Sequence, residues 1–428
     1  VWATHFGISF DEAFTAMAGR RSVGDMLSYL RDADSHPPLD ALLRLPLARA
    51  GASDLLLRAP SLVFSVGALA LFAWWMRTRG IAGVVSTAVF AASGFAVLYG
   101  SEARMYALLQ LLGVAAAMTA EAWLRSPRDA HVFLISGLVL VGCLDHSSMF
   151  LLGAGLLAVA GFRTDRDAWR WRAGLGAAAL VWAALWGGAF LAQAQGNHSS
   201  WILPTTPNLL VEGVTSMVTF TDGVTPLVAL AIVAGALLLA RTDRVRFHVW
   251  WTCGALPIAL AAVLGVFTPF FLNRTLTLMM WAPIVAVGVS VDWLWTRWQA
   301  VGVAAVVLAM LLALAGTIDL VRGGWQYDLS VERIEAMARP GDVIAVAPTW
   351  YAPLVEWRVQ ARAPLGPTTP VHVAIPDTVA FRVGDAPATG RVVFLEFGAS
   401  HPDLSRFRPC ARVWSFDDSR VRCLESGP

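Results

Sequence analysis

Residues 131–162, HVFLISGLVLVGCLDHSSMFLLGAGLLAVAGF, hold one polar break, Asp145-His146-Ser147-Ser148, between two apolar runs. One continuous helix would bury the Asp145-His146 pair. Two short helices would instead set that pair at a tip on one membrane face, and the choice fixes the orientation of every later loop. The arginines decide it. One set of loops holds Arg77 and Arg79; Arg125 and Arg128; Arg163, Arg166, Arg170 and Arg172; Arg241, Arg244 and Arg246; and Arg297. The intervening loops, Ser101 to Arg104, Asp145 to Ser148, Gln193 to Gly223 and Pro269 to Arg274, are poor in arginine. This alternation survives only if residues 131–144 and 146–162 are separate, membrane-deep spans. The positive-inside rule then puts the arginine-rich set in the cytoplasm. The other set faces outward, with residues 1–50 and the tail after Arg322.

Composition agrees with a membrane protein. The 428 residues are 57% apolar and 14% charged, with a mean hydropathy of +0.60, whereas a soluble domain carries about a quarter charged residues. Ten spans are expected, at about 55–76, 81–99, 104–124, 131–144, 146–162, 173–193, 224–240, 249–268, 275–293 and 300–320. Many of the 19 Trp, such as Trp74, Trp75, Trp293 and Trp295, fall at span ends, as in an aromatic belt. The net charge of +2 implies no nucleic-acid partner. The 32 basic residues are all Arg, which points to a high-GC bacterial source. The chain opens at Val1 in a polar segment, so a first span is expected upstream.

Three regions follow. Residues 1–50 form a first external loop with two amphipathic helices. Val23, Met26, Leu27 and Leu30 share one face of the first; Leu39, Leu42, Leu43 and Leu47, after Pro37-Pro38, share one face of the second. Residues 51–322 form the transmembrane domain. Residues 323–428 read as an extracytoplasmic α/β domain: a helix over Val331–Ala338, strands at 342–347 and 391–397, and a Pro-rich loop with Pro364, Pro367, Pro370 and Pro376. The fold class is therefore mainly α, a polytopic helical membrane protein with a C-terminal soluble α/β domain. Cys143 and Cys253 lie in apolar runs and read as packing residues. Cys410 and Cys423, flanking two strands joined by Asp417-Asp418, are candidates for a disulfide outside the cytoplasm.

The outward face collects Asp11, Glu12, Asp34, His36, Glu102, Arg104, Tyr106, Asp145, His146, His198, Asp222 and Arg274. No assigned span carries a charge near its middle, which argues against an ion-coupled transporter and for chemistry at the outer interface. Their order, Asp11-Glu12, then His36-Pro37-Pro38-Leu39, then Ser101-Glu102-Ala103-Arg104-Met105-Tyr106, a tip with Asp145-His146, and Phe271-Leu272-Asn273-Arg274, resembles the GT-C glycosyltransferases. The nearest group looks like glycosyltransferase family 39, the bacterial relatives of protein O-mannosyltransferases and aminoarabinose transferases. The resemblance covers roughly residues 9–290.

It implies an inverting transfer of a sugar from a polyprenyl-phosphate donor to a glycan, lipid or protein acceptor outside the bacterial plasma membrane. Asp11 matches the family's loop acid and is the expected general base, with Glu12 as its understudy. Arg104 and Arg274 are the expected partners of the lipid phosphate, since a guanidinium binds phosphate oxygens in pairs. His36 stands where some relatives carry Lys and is a further candidate for the donor phosphate, either donating to it or orienting Asp11. Asp34 and Tyr106 are candidates for substrate contacts, and Glu102, Asp145 and His146 for sugar hydroxyls or for a divalent cation if one is used; no spacing is a metal signature. Structural readings stand beside these. Asp11 could cap a helix starting near Glu12, and His36 could only shape the turn before Pro37. Arg104 could pair with Glu102, Arg274 could be a span-end anchor, and Asp145 could bond His146. A lipid or glycan flippase and a non-catalytic assembly protein are the rival functions.

Overall fold

The computed structural model describes residues 8–195, 202, 204–221, 223–267, 273–322, 327–347, 349–361, 368–372, 378–384, 391–397, 404, 407–409, 413–416 and 419–426. Three short helices lead in: α1 (Phe10–Gly19), α2 (Val23–Ala33) and α3 (Leu39–Arg49). Ser9 caps α1 through a capping box: its hydroxyl accepts from Glu12 N, and Glu12 Oε2 accepts from Ser9 N at 2.8 Å. The cap is thus Ser9 rather than Asp11, which leaves the Asp11 carboxylate available for other partners. On α2, Met26 and Leu30 are buried while Val23 is exposed, and Leu42 and Leu43 of α3 are also exposed. The inward stripe of each helix is narrower than its apolar pattern.

The membrane domain contains α4 (Asp54–Met76), α5 (Gly80–Ala92), α6 (Gly94–Ser101), α7 (Tyr106–Arg125), α8 (Asp129–Asp145) and α9 (Met149–Val159). It continues with α10 (Arg166–Gln195), α11 (Pro207–Ser216), α12 (Thr225–Thr242) and α13 (Arg244–Phe267). A 3₁₀ segment (Asn273–Met279), α14 (Trp281–Arg297) and α15 (Gln299–Arg322) complete it. Among the described residues six helices are long and apolar enough to cross a membrane, or up to eight if each of two bent pairs is one span. The difference from ten has two causes. The expected spans 81–99 and 275–293 are each broken, by 52° between α5 and α6 and by 64° between the 3₁₀ segment and α14. The helices flanking Asp145-His146 are short: α8 has 17 residues and α9 has 11, extended by a 3₁₀ turn to Phe162. His146 is extended (φ −155°, ψ 140°) and ends α8, so the polar break does divide this stretch into two helices.

α7 lies at the centre of the bundle, with Tyr106, Ala107, Leu109, Ala116, Ala117, Ala120 and Trp123 all inaccessible. Its small residues permit close approach. A Cβ at Gly113 would meet the Leu278 carbonyl oxygen at 2.0 Å, so only glycine lets the 3₁₀ segment lie against α7. That contact helps place Arg274 beside the first turn of α7.

The tail carries α16 (Tyr327–Met337), α17 (Ala352–Ala361) and a seven-stranded sheet in the order β2-β3-β1-β4-β7-β5, with β6 also pairing β7. The strands are β1 (Val343–Ala347), β2 (Thr368–Val371), β3 (Val379–Val383), β4 (Arg391–Phe397), β5 (Phe407–Pro409), β6 (Trp414–Phe416) and β7 (Ser419–Ser426). The two apolar strands read from the sequence, β1 and β4, are parallel neighbours at the centre. Pro370 lies in strand β2 rather than in a loop; β2 is an edge, where a missing N–H can be tolerated. Pro364, Pro367 and Pro376 fall outside the described residues. Cys423 on β7 is disulfide-bonded, and Cys410 also lies outside the described residues. Cys143 and Cys253 are buried free thiols.

The tail packs on the leading helices. One apolar cluster joins Ile8, Ala13 and Ala16 to Val355, Trp357 and Ile334. Phe10 meets Tyr351 edge-on at 5.5 Å, Arg20 stacks over Trp357 at 4.2 Å and donates to Gln360, and Trp357 Nε1 donates to Asp54 Oδ1 at 3.2 Å. α1 is therefore held between the bundle and the sheet domain.

Candidate functional site

The site begins with a buried ion pair. Glu12, with no exposed surface, accepts from Arg58 Nε at 2.7 Å and Nη2 at 2.7 Å, from Ala103 N at 2.6 Å and from Ser9 N at 2.8 Å. Four donors on one carboxylate leave no oxygen for a substrate, so the understudy reading of Glu12 does not fit this geometry. Glu12 instead locks α1 onto α4 and onto the 102–105 loop. Successive residues on a helix point about 100° apart, so fixing Glu12 inward leaves Asp11 partly exposed, with its side chain 23% accessible.

The 102–105 loop is held by its backbone. Ser61 Oγ donates to the Glu102 carbonyl at 2.5 Å, and Arg44 Nη2 donates to the Arg104 carbonyl at 3.2 Å and to Ser61 Oγ at 2.7 Å. Arg44 is itself paired to Asp40 at 2.9 Å. These anchors leave the Glu102 and Arg104 side chains to project into the site. Arg104, 3% exposed, donates from Nη1 to Thr15 Oγ1 at 2.7 Å and to the Asp11 carbonyl at 3.2 Å. It does not pair with Glu102 through its side chain. Its Nε is buried with no hydrogen-bond partner among the described residues.

Asp11 Oδ2 accepts from Arg274 Nη1 at 2.5 Å, and the two side chains are 23% and 22% exposed. Burial raises the Asp11 pKa, but the guanidiniums of Arg274 and Arg104 outweigh it and hold the carboxyl below its ordinary value. Asp11 is therefore an anion facing two cations at a partly open mouth.

Around this triad the other polar residues divide by charge state. Burial, and then the carboxylates of Glu12 and Asp11, push Glu102 up to about 8. Burial also pushes Asp34 up to about 6. His36 is held well below its ordinary value by burial and by Arg104, His146 and Arg274. Burial, Arg104 and Arg274 take His146 down to about 3. Both imidazoles are neutral near pH 7, so His36 is not a third cation. The two rings lie 4.9 Å apart, and His36 Nε2 is 4.0 Å from Asp34 Oδ1; no hydrogen bond joins it to Asp11. His146 Nδ1 accepts from Ser148 N at 2.9 Å, which leaves the ring proton on Nε2.

Tyr106 packs 6.3 Å from the His146 ring with its hydroxyl buried and without a partner among the described residues. Asp145 is fully buried, and neither of its oxygens has a partner there, so it does not bond His146. Its charged neighbours are Asp40, Arg44 and Arg104. Among the described residues no group of three or more His, Cys, Asp and Glu is placed to hold a metal ion. His198 and Asp222 lie outside the described residues.

The sequence reading missed Arg58, Thr15, Arg44 and Gln193. Arg58 did carry a signal: an arginine after Leu55-Leu56-Leu57 inside a span requires a carboxylate partner. Gln193 Nε2 donates to the Leu30 and His36 carbonyls at 3.0 and 3.1 Å and so fixes the His36 turn. Nothing in its local sequence marks that role.

No family model and no curated protein matches the chain. Its fold is matched by the crystal structure of ArnT from Cupriavidus metallidurans in the apo state, with a TM-score of 0.61 and 11% identity over 99% of this chain and 94% of that one. The structure of the same protein bound to undecaprenyl phosphate matches with a TM-score of 0.61 and 12% identity over 99% and 95%. The chain thus has an ArnT-like fold, a multi-pass helical membrane domain with a C-terminal sheet domain.

Proposed function

We propose that this chain is an inverting glycosyltransferase that moves a sugar from a polyprenyl-phosphate donor to an acceptor hydroxyl at the extracytoplasmic face of the bacterial plasma membrane. The observation that carries this reading is the partly exposed Asp11 carboxylate paired with Arg274, with Arg104 on the Asp11 carbonyl and its charge also lowering the Asp11 pKa. ArnT, whose fold this is, has been seen with undecaprenyl phosphate bound, which supports a polyprenyl-phosphate donor.

The geometry gives each group a task. Before donor binding, Arg274 neutralises Asp11 and keeps it deprotonated. A donor phosphate entering beside Arg274 and the unpartnered Arg104 Nε competes with Asp11 for these guanidiniums. As Arg274 turns to the phosphate, the Asp11 carboxylate loses a cation and its basicity rises toward that of a buried carboxylate. Asp11 then accepts the acceptor hydroxyl's proton while the oxygen bonds to the anomeric carbon. The anomeric carbon–oxygen bond breaks on the opposite side, its electron pair stays on the lipid phosphate, and Arg274 and Arg104 stabilise that charge. Donor binding and base activation are thereby one event. Protonated Glu102 and neutral His36, His146 and Tyr106 line the surroundings as hydrogen-bonding groups for sugar hydroxyls.

The test is to incubate the purified protein with a panel of polyprenyl-phosphate sugars and follow release of the lipid phosphate. Release from at least one donor, abolished by Asp11→Asn, is expected; no release from any donor with any acceptor would sink the reading.

A further inference from the structure

A second polar site lies at the other end of the bundle. α4 begins beside Glu12 and ends at Met76; α7 begins at Tyr106 and ends at Arg125. Between the far ends of α4, α12 and α14 is a cavity of about 340 Å³, with Arg79, Arg246, Asp243 and Asp292 in its wall and Leu238 and Val289 among its apolar lining. Its size is that of a small-ligand site. The exposed Trp74 and Trp298 at these helix ends put it at headgroup depth.

Its charges balance in number, three guanidiniums against Glu121, Asp243 and Asp292, but not pairwise, since Asp292 joins no ion pair among the described residues. Glu121 accepts from Arg79 Nη2 at 2.5 Å, Arg125 Nη2 at 3.0 Å and Arg246 Nε at 3.2 Å, and Asp243 pairs with Arg125 at 2.9 Å and Arg246 at 3.1 Å. Within these pairs, three guanidiniums against two carboxylates leave one positive charge. The Arg79 side chain is 7% exposed, and its Nε is buried with no partner among the described residues. Asp292, beside the left-handed Gly80 (φ +55°), has no ion-pair partner among the described residues. The cavity therefore offers one spare cation, one spare anion and apolar walls.

We propose that this cavity binds the headgroup of a zwitterionic phospholipid bearing a primary amine, with its phosphate at Arg79 and its ammonium at Asp292. One phosphodiester charge and one ammonium charge match the two spare charges. An anionic phospholipid would leave Asp292 unpaired against a phosphate, and a quaternary ammonium has no N–H to donate to it. The apolar lining continues toward the hydrocarbon as a seat for the first acyl carbons. This site is independent of the sugar-transfer reading.

The experiment uses the full chain in nanodiscs of phosphatidylethanolamine, phosphatidylcholine or phosphatidylglycerol, taken into mild detergent, with retained lipid counted by native mass spectrometry. One phosphatidylethanolamine per chain is expected to persist where the other two lipids are lost. Asp292→Asn is expected to reduce that retention roughly fivefold, the scale of a partly exposed ion pair, and Asp292→Glu to restore it. Preference for phosphatidylglycerol, equal retention of the two zwitterionic lipids, or unchanged retention in Asp292→Asn would overturn the proposal. Saturable binding of soluble phosphoethanolamine without lipid retention would overturn it as well.

Discussion

Arg274 Nη1 donates to Asp11 Oδ2 at 2.5 Å, tying the 3₁₀ segment before α14 to the first helix of the chain. The contact needs both the 64° bend that turns Arg274 inward and the Glu12–Arg58 lock that leaves Asp11 partly exposed.

Asp11→Asn keeps the shape of the side chain and removes its basicity. Transfer is expected to fall by at least about 10²-fold, the usual contribution of a positioned general base, while binding of a polyprenyl phosphate is retained or tightened because Arg274 no longer faces the Asp11 carboxylate. Turnover assays beside lipid-phosphate binding check this. Wild-type turnover in this variant removes Asp11 as base.

Arg274→Ala tests the coupling through pH. With Arg274 present, the Asp11 carboxyl sits below 3.8, so in the free enzyme the base stays deprotonated into acid. Without it, burial raises the value against Arg104 alone, and the acid limb of kcat/KM is expected to move upward in pH. Because the folded pKa is depressed, the stabilising contribution of this pair is present above the unfolded value and is lost as pH falls through the folded one. The variant should therefore also lose less stability on acidification. Donor affinity should fall, with acceptor KM little changed. An unmoved acid limb would separate Arg274 from Asp11.

The Glu12–Arg58 pair predicts a different signature. Both side chains are fully buried. Removing one partner, as in Arg58→Ala, leaves an unpaired buried charge and is expected to cost about 3–5 kcal/mol, while replacing both by apolar residues costs less than the single changes imply. Thermal unfolding of the two singles and the double closes the cycle; additive effects would contradict a coupled pair.

How far the sequence reached depends on the kind of interaction. Apolar blocks and alternating arginine loops report solvent, so the helical membrane class, the break at His146 and the two buried strands β1 and β4 were legible, though not their parallel pairing. Hydropathy does not report a bend inside an apolar run, and so the kinks after Ala92 and after Met279 were not. Residues on one face could be grouped, and the structure does bring Asp11, Glu102, Arg104 and Arg274 together. Their pairings were less legible, because Glu12 meets Arg58 and Arg104 meets Thr15 only through tertiary packing. Charge state was least legible of all: His36 reads as a possible cation until its burial beside three other positively polarising groups is known.

Glu102 supplies the clearest pH test. Its folded value is pushed from 4.5 up to about 8, first by burial and then by the Glu12 and Asp11 carboxylates. A carboxyl raised on folding favours the native state below its unfolded value, and that contribution is lost as pH rises through the folded value. Wild-type melting temperature is therefore expected to decline between about pH 4.5 and pH 8 by more than other groups require. Glu102→Gln keeps a neutral, hydrogen-bonding side chain of the same shape and should flatten that decline, with little change at pH 5. Asp11→Asn, by removing one repelling carboxylate, should shift the midpoint downward in pH. A Glu102→Gln curve parallel to wild type would mean that Glu102 is already ionised in the folded protein, and would remove it as a donor to the sugar.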